Sequence, residues 1–138
     1  MKYDYKTLPF PDKRGRFVKQ PLVEIEIFGQ NCSRKGMALI DSGADRSVFN
    51  IEVAKILGID LSKAPKDGVR GIFGEKEVSV TEVEIKIQHL ENKFKIPVSF
   101  IDSPFVGLLL GEEGFFDIHR IKFEKDHDTF EINPVKKK

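Results

Sequence analysis

The chain of 138 residues reads as a single all-β domain, a barrel or a sandwich, with one or two short helices. Three observations predict this. Apolar and polar residues alternate with a period of two in several short runs, the mark of half-buried strands. Gly, Pro, Asn and Asp punctuate the chain at close spacing, so the runs between them are strand-sized. A single clear segment, after Asn50, carries both the start and the stop signals of a helix.

The elements follow in order. The first twenty residues are polar with scattered apolar positions and are expected to form an arm. Pro21 opens an alternation with Val23, Ile25 and Ile27 on one face and Glu24 and Glu26 on the other. Gly29 to Gly36 reads as a turn, and Met37 to Ile40 as a second strand that runs directly into Asp41, giving a hairpin. A short strand is predicted around Val48, then a helix from an Asn50 cap through Leu57, stopped by Gly58. Lys63 to Asp67 reads as loop.

Gly68 to Gln88 reads as a long hairpin whose tip is Gly71-Ile72-Phe73-Gly74. In its returning strand Val78 and Val80 share one parity and Val83, Ile85 and Ile87 the other, which predicts a bulge or a bend. Phe94, Ile96, Val98 and Phe100 alternate again, and Ser103-Pro104 breaks the chain. Leu108 to Leu110 is a continuous apolar run, expected to be buried on both faces and ended by Gly111. Glu112 to Asp117 has room for about one helical turn. Ile121 and Phe123, then Phe130 and Ile132, form a last hairpin around Lys125 to Asp128. The count is about seven to nine strands, with no internal repeat and no linker. The predicted division is an arm over 1–20, one domain over 21–133 and a basic tail over 134–138.

Composition excludes several functions. Net charge is +1, from 23 basic and 22 acidic residues, so there is no electrostatic footprint for nucleic acid. Lys136-Lys137-Lys138 reads as a solvated tail. A single cysteine, Cys32, allows no internal disulfide and suits a reducing compartment; it reads as a small hairpin-loop residue rather than a catalytic thiol. Met1 to Phe10 lacks the apolar core of a signal peptide, and no run approaches the roughly 18 apolar residues of a membrane span. The expectation is a cytoplasmic protein with no membrane partner. His89, His119 and His127 are scattered, so neither a metal nor another cofactor is expected. No Gly-x-Ser-x-Gly elbow is present, and no Gly-Lys-Ser/Thr follows the hairpin glycines.

The segment that points to chemistry is Ala38-Leu39-Ile40-Asp41-Ser42-Gly43-Ala44. An acid directly after a buried strand must be hydrogen-bonded or paired. Ser42 can supply a hydroxyl, and Gly43 lets backbone amides come close. The tetrapeptide fits equally an Asx-type turn, in which Asp41 merely caps a loop.

Two further features bear on that choice. Leu108-Leu109-Leu110-Gly111 repeats the pattern of apolar strand then glycine, and the glycine-bracketed tip at 71–74 lies between the two. Asp-Ser-Gly-Ala, a glycine-rich flap, then a hydrophobic strand ending in glycine, in this order, resembles the retropepsin family of aspartic peptidases. The resemblance spans Pro21 to Ile132 and implies a closed acid-protease-like barrel. It implies an aspartic endopeptidase with Asp41 as the catalytic acid, Ser42 bracing two site loops, and Gly43 accepting backbone bonds from substrate. Ala44, Asp45, Val48 and Leu109 would line the cleft, and Gly71, Ile72, Phe73 and Gly74 would close over an extended peptide. Asp41 is the single aspartate in an Asp-Ser/Thr-Gly setting, so one chain supplies one carboxylate and this route requires a two-fold homodimer.

The chain departs from the viral pattern where Glu112-Glu113 replaces an arginine and its neighbour after the second glycine. That arginine pairs with the aspartate matching Asp45, so a substitute is needed, Arg46 or Arg70. Glu112-Glu113 themselves read as a solvated turn. With its fuller last hairpin the chain looks more like cellular, bacterial-type members than viral ones. The alternative function is a peptide-binding or dimerisation module of the same shape with little catalysis.

Overall fold

A computed structural model describes residues 1–71, 74–104 and 106–135, with backbone alone for 69–71 and 74–76. Among these residues are twelve strands, one α-helix and two 3-10 turns. Nine of the strands follow Pro21 and match the predicted count; three short ones come from the expected arm.

The predicted first hairpin is β4 (Leu22–Phe28) with β5 (Ser33–Ile40). Its turn is tighter than Gly29 to Gly36, because β5 begins at Ser33 and pairs with Phe28. β6 (Ser47–Asn50) leads into α1 (Ile51–Leu57). The helix starts and stops where cap chemistry dictates. The Asn50 side chain accepts the Glu52 N–H, and Gly58 adopts φ +68°, a left-handed conformation natural to glycine.

β7 (Lys66–Gly71) and β8 (Gly74–Ile87) form the long hairpin, β7 starting inside the segment expected as loop. Fourteen residues make β8 long enough to serve three neighbours. It pairs with β7 over Gly74–Ser79, with β9 (Phe94–Ile101) over Ser79–Ile85, and with β4 over Glu84–Ile87. The parity switch therefore marks a change of partner at Ser79, and both registers run through without an extra residue.

β10 (Leu108–Leu110) lies between β5 and β6, parallel to the first and antiparallel to the second. The order β4-β5-β10-β6-β9-β8, with β8 returning to β4, closes a six-stranded barrel. Closure leaves these strands no free edge. The fold is all-β and acid-protease-like. Inward residues of alternating strands fill the barrel: Val23, Ile25 and Ile27 from β4, Val83, Ile85 and Ile87 from β8, and Ile96, Val98 and Phe100 from β9 are all buried. Phe49 meets Phe100 edge-on at 6.0 Å. Leu110 is fully buried, whereas Leu108 and Leu109 are half-buried, less than an interior strand implies.

The C-terminal hairpin is β11 (His119–Glu124) with β12 (Thr129–Pro134). The helical turn expected over Glu112 to Asp117 forms later, at Phe116–Ile118, since the Glu112 and Glu113 amides bond elsewhere. Residues 1–20 are folded onto the rest. β1 (Lys2–Asp4) pairs with β12, burying Tyr3 against Phe130 with ring centroids 5.3 Å apart, and the Tyr3 hydroxyl donates to the Gln88 carbonyl. β2 (Lys6–Thr7) and β3 (Lys19–Gln20) form a separate two-stranded ribbon. Lys136 to Lys138, read as a solvated tail, lie outside the described residues.

Candidate active site

The position of β10 dictates the geometry. β5 and β6 are consecutive in sequence, yet β10 separates them, so residues 41–46 must step across the end of β10. That crossing explains Gly111. A Cβ built there would lie 2.6 Å from the Ala44 carbonyl oxygen and 2.7 Å from the Arg46 backbone. These are backbone atoms held by their own bonds, so the strand end must lack a side chain. The Gly111 N–H donates to the Ser47 hydroxyl at 3.1 Å, a buried bond.

Asp41 stands at the start of the crossing. Its N–H donates to the Leu110 carbonyl at 2.9 Å, which locks its backbone to β10. The side chain is half-buried, and Oδ1 accepts the Gly43 N–H at 2.9 Å. This is the Asx-type turn that the sequence allowed. It orients the carboxylate rather than using it up: one oxygen is tethered, and among the described residues no group bonds to the other. Gly43 fits closely here too: a Cβ would lie 3.3 Å from Oδ1 and push the carboxylate by a few tenths of an ångström. The Ser42 hydroxyl is exposed and, among the described residues, does not reach the carboxylate of its own chain.

The crossing is laced to the segment after Gly111. Glu112 N–H donates to the Ala44 carbonyl at 2.8 Å, and Glu113 N–H to the Asp45 carbonyl at 2.9 Å. Ala44 is half-buried and Asp45 exposed. Val48 and Leu109 are register partners across β6 and β10, both half-buried. Asp41, Ser42, Gly43, Ala44, Asp45, Val48 and Leu109 thus come together at one end of the barrel.

Arg46 was a candidate partner for Asp45, and its geometry is different. Its Nε lies 3.3 Å from a Glu113 carboxylate oxygen, and its Nη1 lies 3.3 Å from both Asp67 and the Ser99 hydroxyl. Among the described residues, no cation sits against Asp45. Glu113 is therefore not a merely solvated turn residue but the anion of a pair whose signs are reversed from the arginine-bearing pattern. Sequence reading missed this pairing and the buried Ser47. The signal for the pair was present: a glutamate pair replaces a cation after Gly111 while an arginine appears beside Asp45.

Arg46 also ties the long hairpin to the site through Asp67 on β7. The Gly68 N–H, and then Arg46, hold the Asp67 carboxyl below the usual carboxylate range. The hairpin extends to a Gly71–Gly74 pair, and the expected lid residues Ile72 and Phe73 lie outside the described residues, as does the Arg70 side chain.

Other titratable groups serve structure. His119 is buried beside the Phe94 and Phe115 rings, at centroid distances of 4.8 and 5.0 Å, with Nδ1 2.9 Å from the Phe115 carbonyl. Burial lowers its proton affinity, and the carbonyl bond offsets this in part. Among the described residues no group of three His, Cys, Asp or Glu side chains is placed to hold a metal ion. No helix among them is long and apolar enough to cross a membrane.

A closed barrel, with an oriented carboxylate on a loop that crosses the end of an inserted strand, defines the acid-protease class. A family model described as aspartyl protease matches residues 23–113, and the chain belongs to that family. No curated protein matches it significantly.

Proposed function

We propose that the protein is an aspartic endopeptidase whose catalytic pair forms from Asp41 of two copies. The observation that carries this reading is the state of Asp41: half-buried, fixed by Gly43 through one oxygen, and the sole acid of its motif in the chain. Peptide hydrolysis needs a base to activate water and an acid for the carbonyl oxygen. Two carboxylates in contact cannot both ionise, so they share a proton and divide these roles, as is general for aspartic proteases. A two-fold axis beside Asp41 supplies the second carboxylate.

In this reading the exposed Ser42 hydroxyls brace the two loops across the axis. The Gly43 carbonyl accepts from the substrate backbone, and Ala44, Asp45, Val48 and Leu109 border the peptide. Gly71 to Gly74, with Ile72 and Phe73, form the lid. An extended peptide bound as an added strand favours apolar side chains at the scissile bond. The test is digestion of a peptide library between roughly pH 4 and 7, which brackets the carboxylate range. Asp41→Asn is expected to lose nearly all cleavage with an unchanged circular dichroism spectrum. Cutting that survives the substitution eliminates the proposed chemistry; a wild-type protein that binds peptides without cutting them leaves a peptide-binding module.

A further inference from the structure

The ribbon of β2 and β3 touches the C-terminal hairpin at its base, where Lys19 Nζ lies 3.4 Å from Asp128 Oδ2. It is well formed: Leu8 N–H donates to Val18 at 2.9 Å and Asp12 N–H to Arg16 at 2.7 Å. Its tip is closed by Asp12 Oδ1, which accepts from the Arg14 and Arg16 amides at 2.8 and 2.9 Å. Yet its strands pair with each other and, among the described residues, with neither sheet. An isolated two-stranded ribbon is marginal in water and offers unpaired edges. This one also presents Phe10, 77% exposed, and Phe17, 63% exposed, to solvent.

Its location is as telling as its surface. The Ile40 N–H, one residue before Asp41, donates to the Pro21 carbonyl at 3.0 Å. β4 runs away from that point, so the ribbon leaves the barrel at the Asp41 end. About five extended residues from Gln20 to Gly15 reach roughly 17 Å. The ribbon carries five cations, Lys6, Lys13, Arg14, Arg16 and Lys19, against one anion, Asp12. Arg16 pairs with Asp12 and Lys19 with Asp128, each at 3.4 Å, so among the described residues Lys6, Lys13 and Arg14 are the ones without an ion pair. The site rim over 41–46 and 111–114 carries the reverse: Asp41, Asp45, Glu112 and Glu113 against Arg46. The terminal strands β1 and β12 are already paired with each other in one chain, whereas the ribbon's tip, beyond Lys19, projects past that pairing.

We propose that the ribbon over residues 6–20 is the dimerisation arm, which packs Phe10 and Phe17 against the Asp41 end of a second copy. Lys6, Lys13 and Arg14 face the second copy's Asp45 and Glu112. Because the contact is two-fold, each ribbon embraces the other barrel and the two Asp41 loops are brought toward the axis. The inference rests on the two-copy reading of the site.

The experiment is sedimentation of the full chain over a wide concentration range, with cleavage measured in parallel. The wild type is expected to dimerise. Phe10→Ser with Phe17→Ser is expected to weaken the dimer about a hundredfold or more, with cleavage falling in step. Both side chains are exposed, so the monomer's unfolding midpoint should not move. Lys13→Glu with Arg14→Glu, at the solvent-facing tip, is expected to weaken the dimer about tenfold at low salt and to abolish its salt sensitivity. Variants that dimerise like the wild type overturn the ribbon and leave the endopeptidase reading standing. A wild type that stays monomeric at every concentration overturns both. Monomeric ribbon variants that still cleave at the wild-type rate support the ribbon and overturn the paired-aspartate chemistry.

Discussion

The loop that carries Asp41 and the ribbon that ends at Gln20 meet at one hydrogen bond, from Ile40 to Pro21, and are built on opposite terms. In the loop, Asp41, Glu112 and Glu113 each donate their amide across the crossing, and Gly111 leaves no room for a Cβ. In the ribbon, a Cβ added at Gly15 meets nothing within 4 Å, and two phenylalanines lie in solvent. Close packing around a backbone crossing fixes an atom to within tenths of an ångström, which a catalytic carboxylate requires. The ribbon, which we propose as a dimerisation arm, needs no such precision within one copy.

The harshest test of this contrast is Gly111→Ala. The new methyl meets the Ala44 carbonyl and the Arg46 backbone, which cannot give way without moving Asp41. A loss of about 3 kcal/mol in denaturant unfolding is expected, while Gly15→Ala in the ribbon, despite its φ of +74°, is expected to cost about 1 kcal/mol. Equal costs at both sites would dissolve the distinction. Asn50→Ala comes next. Asn50 accepts the Glu52 N–H at 3.0 Å and donates to the Ser103 and Val106 carbonyls at 2.7 and 3.0 Å. Its loss removes a helix cap and strips two carbonyls of a donor, for about 2 kcal/mol. Asn50→Asp keeps the cap but aims a carboxylate oxygen at the Ser103 and Val106 carbonyls, and should cost at least as much as Asn50→Ala.

What the sequence made legible follows from the range of each interaction. The α1 helix was readable to the residue because its signals, Asn50 and Gly58, act within one turn. The hairpins were readable because their partners are neighbours in the chain. Barrel closure depends on β8 meeting β4, which no local pattern announces, and it was expected through the family resemblance alone. Residues 1–20 looked like an arm because Tyr3 finds Gln88 and Phe130 far downstream. At the site, the motif located Asp41 and the strand that abuts it. It did not reveal that the amides of Glu112 and Glu113 are taken by Ala44 and Asp45, which is why the expected helical turn slid to Phe116.

The smallest expected effect concerns charge rather than backbone. Arg46 is 27% exposed, Glu113 53% and Asp67 55%, so solvent screens both ion pairs. A cycle of Arg46→Glu, Glu113→Arg and the exchanged double variant is expected to give a coupling of about 0.5 kcal/mol for that pair. The Asp67 side has a pH signature. Its carboxyl is depressed in the fold, first by the Gly68 amide and then by Arg46, so it favours the folded state above the ordinary carboxylate range. That contribution fades as pH falls from this range down through the depressed folded value. Arg46→Gln should flatten the acid limb of the stability profile only in part, because the larger contribution, from Gly68, remains. A coupling near zero would mean that the crossing is held by backbone bonds and a missing side chain, the contrast with the ribbon at its sharpest. A coupling above about 2 kcal/mol would make Arg46 a structural pin in its own right, and the loop's rigidity would then rest on a charge that acid can release.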